Sequence, residues 1–589
     1  MRKASPHPAL VFAVIFVFVF LLHVPLLRLP YFWDEAGYYV PAARDILLTG
    51  SLIPHTTLSN GHPPLLLCWM ALWWKIGAFD PLVTRSAMLV ASAFALSGIF
   101  RLAYRAANIH VAVASALCTA LYSVFFAQSS LAHLDLAAAG LVFWGLAAYL
   151  ENRPAAVAIW FSLAALTKET AILVPAALAA WEILRGFFSS RILAAEGAEP
   201  KLGVGRSGRS VATNLAWQDL TFRALALRTL VLLVPLIPLI AWYTYHYART
   251  GYIFGNPEFF RYNVASTFSF TRFLLALGLR LWQTVGYLHL WVLTLGMLLA
   301  MLLPPVTDGA SERPRIAVPV QMIFLIVAVT YVMAMALIGG AVLARYMLPA
   351  VPLVIIVAMS TLWRRLRYWR FAVGVVALVF IAAWLWNPPY GFSPEDNLAY
   401  RDYVHLHEDA ERFLEARYPM ARVLTAWPAS DELTRPWLGY TTRPMQVVRI
   451  EDFSLDEVLG AADFRANPSD SKFSRSGFDA ALVFSTKDEP ERSVFDHWKK
   501  WQEWKMRYFG FHRDLPAAAV AHILGGRIVF SEERKRQWIA VIEIERAEEA
   551  RRPASSFELE IAARRNSALG WRRHDPRSRI VPDVAADQP

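Results

Sequence analysis

Trp363-Arg364-Arg365-Leu366-Arg367-Tyr368-Trp369-Arg370 is the stretch that decides how this chain is built. It places four arginines between two apolar runs, 346–363 and 371–386. Each run approaches the roughly 20 residues that cross about 30 Å of hydrocarbon. Short loops rich in Lys and Arg stay on the cytoplasmic side of a membrane, and tryptophan prefers the interface. The stretch therefore predicts a tight cytoplasmic turn between two membrane spans.

Working outward, eleven spans are predicted: 8–27, 86–100, 111–127, 135–150, 156–167, 170–184, 229–247, 285–304, 318–338, 346–363 and 371–386. With a cytoplasmic N-terminus, the inside segments are 1–7, 101–110, 151–155, 185–228, 305–317 and 364–370. They hold 18 Lys and Arg in 86 residues, against 10 in the 111 outside residues that precede the last span. The inside density is more than twice the outside density, as the positive-inside rule requires. An odd number of spans puts residues 387–589 outside. The first apolar run is followed by many others, so an uncleaved span is expected there rather than a signal peptide.

Composition agrees. The 589 residues are 56% hydrophobic and 18% charged, with a mean hydropathy of +0.36. That excludes a disordered chain, a collagen-like chain and a simple cytosolic enzyme. The net charge of +11 divides into +14 over residues 1–386 and −3 over the rest. The basic excess belongs to the apolar part, which speaks for membrane topology and against nucleic acid as a partner. The two cysteines, Cys68 and Cys118, allow one disulfide at most and no zinc framework.

The fold class expected is a polytopic α-helical membrane protein with a C-terminal extracytoplasmic α/β domain. Residues 1–386 form the membrane domain, 387–550 the α/β domain and 551–589 a disordered tail. In the α/β domain, strands are predicted at Arg422–Trp427, Gln446–Ile450 and Asp479–Ser485. A closing hairpin is predicted from Gly526–Phe530 and Gln537–Ile544, and helices at Ala399–Arg417 and Ser493–Arg507. The loop 28–85 is too long to be only connective. Within it, Leu65–Phe79 is predicted to lie in the interface rather than to span. The basic loop 185–228 carries glycines but lacks the strand and helix that a phosphate loop needs.

Ionisable residues at membrane depth are costly, so each needs a reason. Five groups stand out: Asp34-Glu35 within Tyr31–Tyr39; His62-Pro63-Pro64-Leu65; Gln128–Asp135; Thr167-Lys168-Glu169-Thr170; and Arg345-Tyr346 before Pro349. Singly, each has an ordinary role: an acidic loop start, a surface histidine, a helix N-cap, a self-neutralising turn, a snorkelling arginine. Together, the topology places Asp34, His62, Asp135, Lys168 and Arg345 on one outer face. Such a set suits a substrate that is half lipid and half anion, with Lys168 and Arg345 on a phosphate and a carboxylate on the reacting polar group.

The order of these groups, with Arg85 after the long loop and Leu166-Thr167-Lys168 later, resembles the GT-C superfamily of membrane glycosyltransferases. The branch it looks most like is the dolichyl-phosphate-mannose protein mannosyltransferase-like family, which includes the lipid A aminoarabinose transferases. The resemblance spans roughly residues 8–363. It implies a monosaccharide donor linked to a polyprenyl phosphate, an acceptor hydroxyl on a lipid, glycan or protein, and inversion at the sugar on the extracytoplasmic side of a bacterial inner membrane. It implies Asp34 as the catalytic carboxylate, with Asp135 beside it. It further implies Glu35, Tyr38, His62, Arg85, Lys168, Arg345 and Tyr346 as the substrate-binding set. No protein-bound metal is expected and no cofactor is certain, a divalent cation being the one candidate. The aminoarabinose enzymes carry Lys-Pro-Pro where this chain has His62-Pro63-Pro64. Two other classes answer to the same charges, a lipid-linked sugar transporter or flippase and a non-catalytic envelope assembly scaffold. The gathering of charge at one face, with no internal repeat, speaks against a transporter.

Overall fold

The protein is described here from a computed structural model. The structure describes residues 6–196, 222–257, 260, 267, 269–309, 311–338, 340–466, 477–487, 497–509, 511 and 514–544. The stretch 551–589, expected to be a disordered tail, and most of the glycine-bearing part of loop 185–228 lie outside them.

The membrane part runs α1 (Pro8–His23), α2 (Val40–Thr49), α3 (Leu65–Gly77), α4 (Pro81–Ala106), α5 (Ile109–Leu121), α6 (Ser123–Gln128), α7 (Leu134–Leu150), α8 (Pro154–Thr167) and α9 (Leu173–Glu196). It continues with α10 (Phe222–Leu233), α11 (Leu236–Thr250), α12 (Phe270–Val285), α13 (Leu290–Met301), α14 (Val318–Leu337), α15 (Val351–Arg365) and α16 (Trp369–Leu385). Proline opens many of these helices, including α1, α4 and α8, where its missing N–H is no loss. Asp80 caps α4 through Leu82 N–H, and Asn108 caps α5 through the N–H groups of His110 and Val111.

Five helical stretches among the described residues are long and apolar enough to cross a bilayer: Pro8–Leu26, Pro81–Ala106, Leu225–Thr250, Phe270–Met301 (kinked at Leu288 and His289) and Val318–Leu337. Shorter apolar helices pack between them. Helix α1 leaves Leu10, Val14, Val17 and Leu21 exposed, as a lipid-facing helix does. Helices α4, α5 and α7 are mostly buried, and α8 packs one face, with Val157, Phe161 and Ala164, against them. A Cβ on Gly140 would stand 2.7 Å from the Cβ of Ala95, so the small residue lets α7 close on α4.

The stretch expected to span at 285–304 is not one helix. Leu288 and His289 adopt positive φ of 44° and 68°, which breaks the chain between α12 and α13. Helix α12 is amphipathic and buries Arg272, Arg280 and Gln283, so no unbroken apolar run marks it in the sequence. Helix α3 buries Leu66, Leu67, Met70 and Trp74 on one face and leaves Leu72 and Ile76 exposed.

The C-terminal part is a five-stranded mixed sheet with helices packed on it. Its strands are β1 (Arg422–Ala426), β2 (Gln446–Ile450), β3 (Ala480–Phe484), β4 (Gly526–Arg534) and β5 (Gln537–Ile544), in the order β2-β1-β3-β5-β4. Strand β1 pairs in parallel with β2 and β3, and β5 closes antiparallel on β3 and β4. The hairpin is tighter than the charged run 531–536 suggests. Strand β4 continues to Arg534 with a register shift near Phe530, and Lys535 turns at φ 57°. Helix α17 (Ala399–Arg417) carries Tyr400, Tyr403 and Val404 into the core, and α18 (Ala429–Thr434) follows β1.

This sheet shares its core with the long first loop. Phe32 and Trp33 meet Tyr403 edge-on at 5.1 and 5.7 Å, and Trp33 meets Trp427 at 5.1 Å. Tyr31 N–H donates to Leu438 O, and the Tyr440 hydroxyl donates to Tyr31 O. The loop is thus the seam between helices and sheet, and the site lies along it.

Candidate active site

The chain leaves α1 and reaches Trp33 at φ 48°, a conformation held by the indole's contacts with Tyr403 and Trp427. One turn of π-helix, Glu35–Tyr39, follows. Two adjacent carboxylates on such a turn diverge. The Asp34 side chain is 30% exposed, whereas that of Glu35 is fully buried.

Glu35 takes a fork from Arg85, with Nη1 at 2.6 Å and Nη2 at 2.9 Å, and accepts the N–H groups of Phe32 and Ala132 at 2.8 and 2.5 Å. Arg85 also donates to Pro30 O and Ser130 O. Neither residue lines the cavity. Together they bind the start of α4 to the first loop and to the link before α7.

Asp34 accepts from Nη2 of Arg345, which stands on a short 3₁₀ turn, Ala344–Met347, ahead of α15. Arg345 is almost wholly buried and anchors three carboxylates. Its Nη1 pairs with Glu395, and its Nε lies 3.4 Å from Asp135 Oδ2. Asp135 Oδ1 in turn accepts from Lys168 Nζ at 2.5 Å. Lys168 stands 4.3 Å above the Tyr346 ring, and Arg345 and Arg280 flank the same ring. His62 Nδ1 donates to Glu169 Oε2 at 2.9 Å, so Lys168 and Glu169 each pair elsewhere instead of neutralising each other.

These groups border a cavity of about 990 Å³. Asp34, Tyr38, His62, Lys168, Arg345 and Tyr346 line it, and Asp135 lies behind Lys168 and Arg345. Much of the wall is apolar, from Leu173, Leu239, Tyr243, Phe254, Met335 and Ile338. The C-terminal part closes one side with Glu395, Trp427, Thr486 and Lys487. A Cβ on Gly37 would come 2.7 Å from the Trp427 indole, so the glycine admits that ring.

Two members of the site escape the sequence reading. Glu395 follows the last apolar run within Ser393-Pro394-Glu395-Asp396-Asn397. An acidic pair at a membrane surface is the same signal that marks Asp34-Glu35. Burial pushes its carboxyl up to about 8, with Arg345 opposing the rise. Burial likewise raises neighbouring Asp396 to about 7, while the Tyr287 hydroxyl bonded to it at 2.7 Å opposes. The second is His133, whose ring lies 3.1 Å from Arg345 Nη1 and 2.8 Å from Gln128 Oε1. Burial and the nearby Arg345, Arg85 and Lys168 hold it neutral.

Asp34, His133 and Glu395 bring ligand atoms within 4.8 Å of one another, the spacing of a metal site. The Arg345 guanidinium stands among them and already meets all three. With that fixed cation in place, this donor set does not fit a divalent ion.

No protein-family model and no curated protein matches this sequence. Among solved structures, ArnT from Cupriavidus metallidurans bound to undecaprenyl phosphate superposes with a TM-score of 0.50 at 13% identity. The match covers 94% of this chain and 100% of that one. The same protein in its apo state gives 0.48 at 14% identity, over 91% and 98% of the chains. The oligosaccharyltransferase AglB from Archaeoglobus fulgidus, in complex with an inhibitory peptide and a dolichol-phosphate, gives 0.41 at 13%, over 90% and 74%. At such identities the likeness is one of fold, shared with ArnT over the whole of that chain.

Proposed function

We propose that this protein transfers a monosaccharide from a polyprenyl-phosphate donor to an acceptor hydroxyl, with Asp34 as the general base. One observation carries the reading. Asp34 and Glu169 are both partly exposed carboxylates of a largely apolar cavity, but Glu169 pairs with His62, whereas the partner of Asp34 is a buried arginine. The full-length superposition on a structure that holds undecaprenyl phosphate supports a donor of that class.

A donor phosphate entering this cavity competes with Asp34 for Arg345. Lys168, already beside Arg345 through Asp135, adds a second positive charge. Once the phosphate holds Arg345, the Asp34 carboxylate is released to face the acceptor. It takes the hydroxyl proton as the acceptor oxygen bonds to the anomeric carbon. The bond from that carbon to the phosphate oxygen breaks, and the configuration inverts. Polyprenyl phosphate departs with the electron pair, its charge held by Arg345 and Lys168. A phosphate is a good leaving group, so no general acid is required. The base contributes roughly 10²–10⁴-fold.

Tyr38, His62 and Tyr346 shape the donor pocket, and Asp135 holds the two cations in register. Glu35 and Arg85 act through the loop they fix. Residues 387–550 form an outer domain that frames the acceptor side. The site lies at one end of α15 and the basic turn 364–370 at the other. By the positive-inside rule the site is then extracytoplasmic and the N-terminus cytoplasmic; the membrane we propose is a bacterial inner membrane.

The test is transfer by purified protein from synthetic polyprenyl-phosphate monosaccharides, with the acceptor identified by mass spectrometry of envelope glycolipids and glycoproteins with and without the protein. Product formation supports the reading. A folded, donor-binding protein that transfers no sugar to any of these acceptors contradicts it.

A further inference from the structure

Away from the cavity, the core of the C-terminal sheet buries two carboxylates against one histidine, with no lysine or arginine beside them among the described residues. His407 and Glu411 stand one turn apart on the same face of α17, and Glu432 projects from α18. All three are at most 1% exposed. His407 Nδ1 lies 2.6 Å from Glu432 Oε2 and 3.6 Å from Glu411 Oε1. The ligand atoms of the three residues fall within 4.8 Å of one another. Among the described residues no lysine or arginine pairs with Glu411 or Glu432. Buried Glu35 and Asp135, by contrast, meet Arg85 and Lys168.

Several buried atoms of these residues lack a partner. No donor among the described residues reaches either oxygen of Glu411, Glu432 Oε1 or His407 Nε2, although Glu411 and Glu432 lie close enough to share a proton. The Tyr403 hydroxyl is buried and unpartnered as well. Its ring stacks on His407 at 4.0 Å, and Glu432 and Glu411 act electrostatically on its hydroxyl. Burying two carboxylates with this many open lone pairs is costly unless a cation or protons neutralise them. A proton shared between Glu411 and Glu432 would occupy two of the oxygens. A dication beside a neutral histidine balances both charges and takes up the remaining oxygens.

We infer that His407, Glu411 and Glu432 bind a divalent first-row metal ion, zinc being the one that an imidazole-and-carboxylate donor set suits. The ion pins α17 to α18. Helix α18 begins two residues after Trp427, which walls the cavity, so the site holds that wall in place from behind. The inference does not depend on the reaction carried out in the cavity.

The experiment is elemental analysis of the full-length protein, extracted in detergent and purified without chelator, before and after addition of Zn²⁺ or Mn²⁺. About one ion per chain is expected. In Glu411→Gln and Glu432→Gln the content should fall about tenfold or more, while Glu408→Gln on the same helix keeps it. Should the ligand variants fail to fold, the wild-type protein is stripped with a chelator. A fall in melting temperature that Zn²⁺ restores supports the site. Two results overturn it: a folded wild-type protein that holds no metal and takes up neither ion, or metal content unchanged in a folded Glu411→Gln. In the first case the shared proton is the neutralising group.

Discussion

Asp34 and Arg345, 311 residues apart in the chain, form an ion pair at the wall of the cavity. Arg345 is buried and Asp34 partly exposed, so the arginine is fixed and the carboxylate is the member able to exchange. An anionic ligand can replace Asp34 on Arg345 without unfolding anything. Under the proposed function, binding of the donor phosphate and release of the base are one event.

Removing either cation should weaken donor binding. Arg345→Gln and Lys168→Ala each lose a charge-assisted contact, about 1.5–3 kcal/mol, or roughly a 10- to 100-fold rise in donor Kd. Titration calorimetry with a polyprenyl-phosphate sugar checks this. Unchanged affinity in both variants would remove the phosphate role.

Glu35 and Arg85 should behave as structural residues. Glu35→Gln and Arg85→Met each strand one half of a buried pair, which costs about 3–5 kcal/mol. Thermal unfolding and detergent-extracted yield should fall in both. The fraction that remains folded should bind donor with near wild-type affinity.

The raised carboxyls of Glu395 and Asp396 make a pH prediction. A folded-state pKa above the unfolded one means the folded protein holds more protons, so stability falls as pH rises. The window runs from the ordinary carboxylate range near 4 to about 8 for Glu395 and about 7 for Asp396. The melting temperature should decline across that window and level off above it. Glu395→Gln with Asp396→Asn should flatten the decline.

Gly37→Val should disturb the wall rather than the cations. The new side chain runs into the Trp427 indole, and overpacking of this kind costs about 1–3 kcal/mol. Transfer to acceptor should fall more than donor binding does. Equal losses in both would show that Trp427 serves the donor side.

Apolar runs and arginine clusters made the helices legible in the sequence, because bilayer length and positive-inside topology leave a one-dimensional trace. Asp34, His62, Lys168 and Arg345 were legible as a group for the same reason. What stayed hidden was pairing. Nothing in the order of residues says that Lys168 reaches Asp135 while Glu169 reaches His62. The broken stretch at Leu288 and His289 was hidden too, because α12 turns its arginines inward and so lacks an apolar run. Glu395 was passed over because it lies in a segment with the composition of a soluble domain. Only the docking of the first loop onto the sheet brings it to Arg345.

The central claim is that Asp34 is the base, and Asp34→Asn tests it most directly. The amide keeps the shape of the side chain and still accepts a hydrogen bond from Arg345, but it cannot take the acceptor's proton. With purified enzyme, saturating donor and the acceptor found by mass spectrometry, single-turnover transfer should fall roughly 10²-fold or more, with donor affinity retained. Transfer by Asp34→Asn at near the wild-type rate would contradict the account.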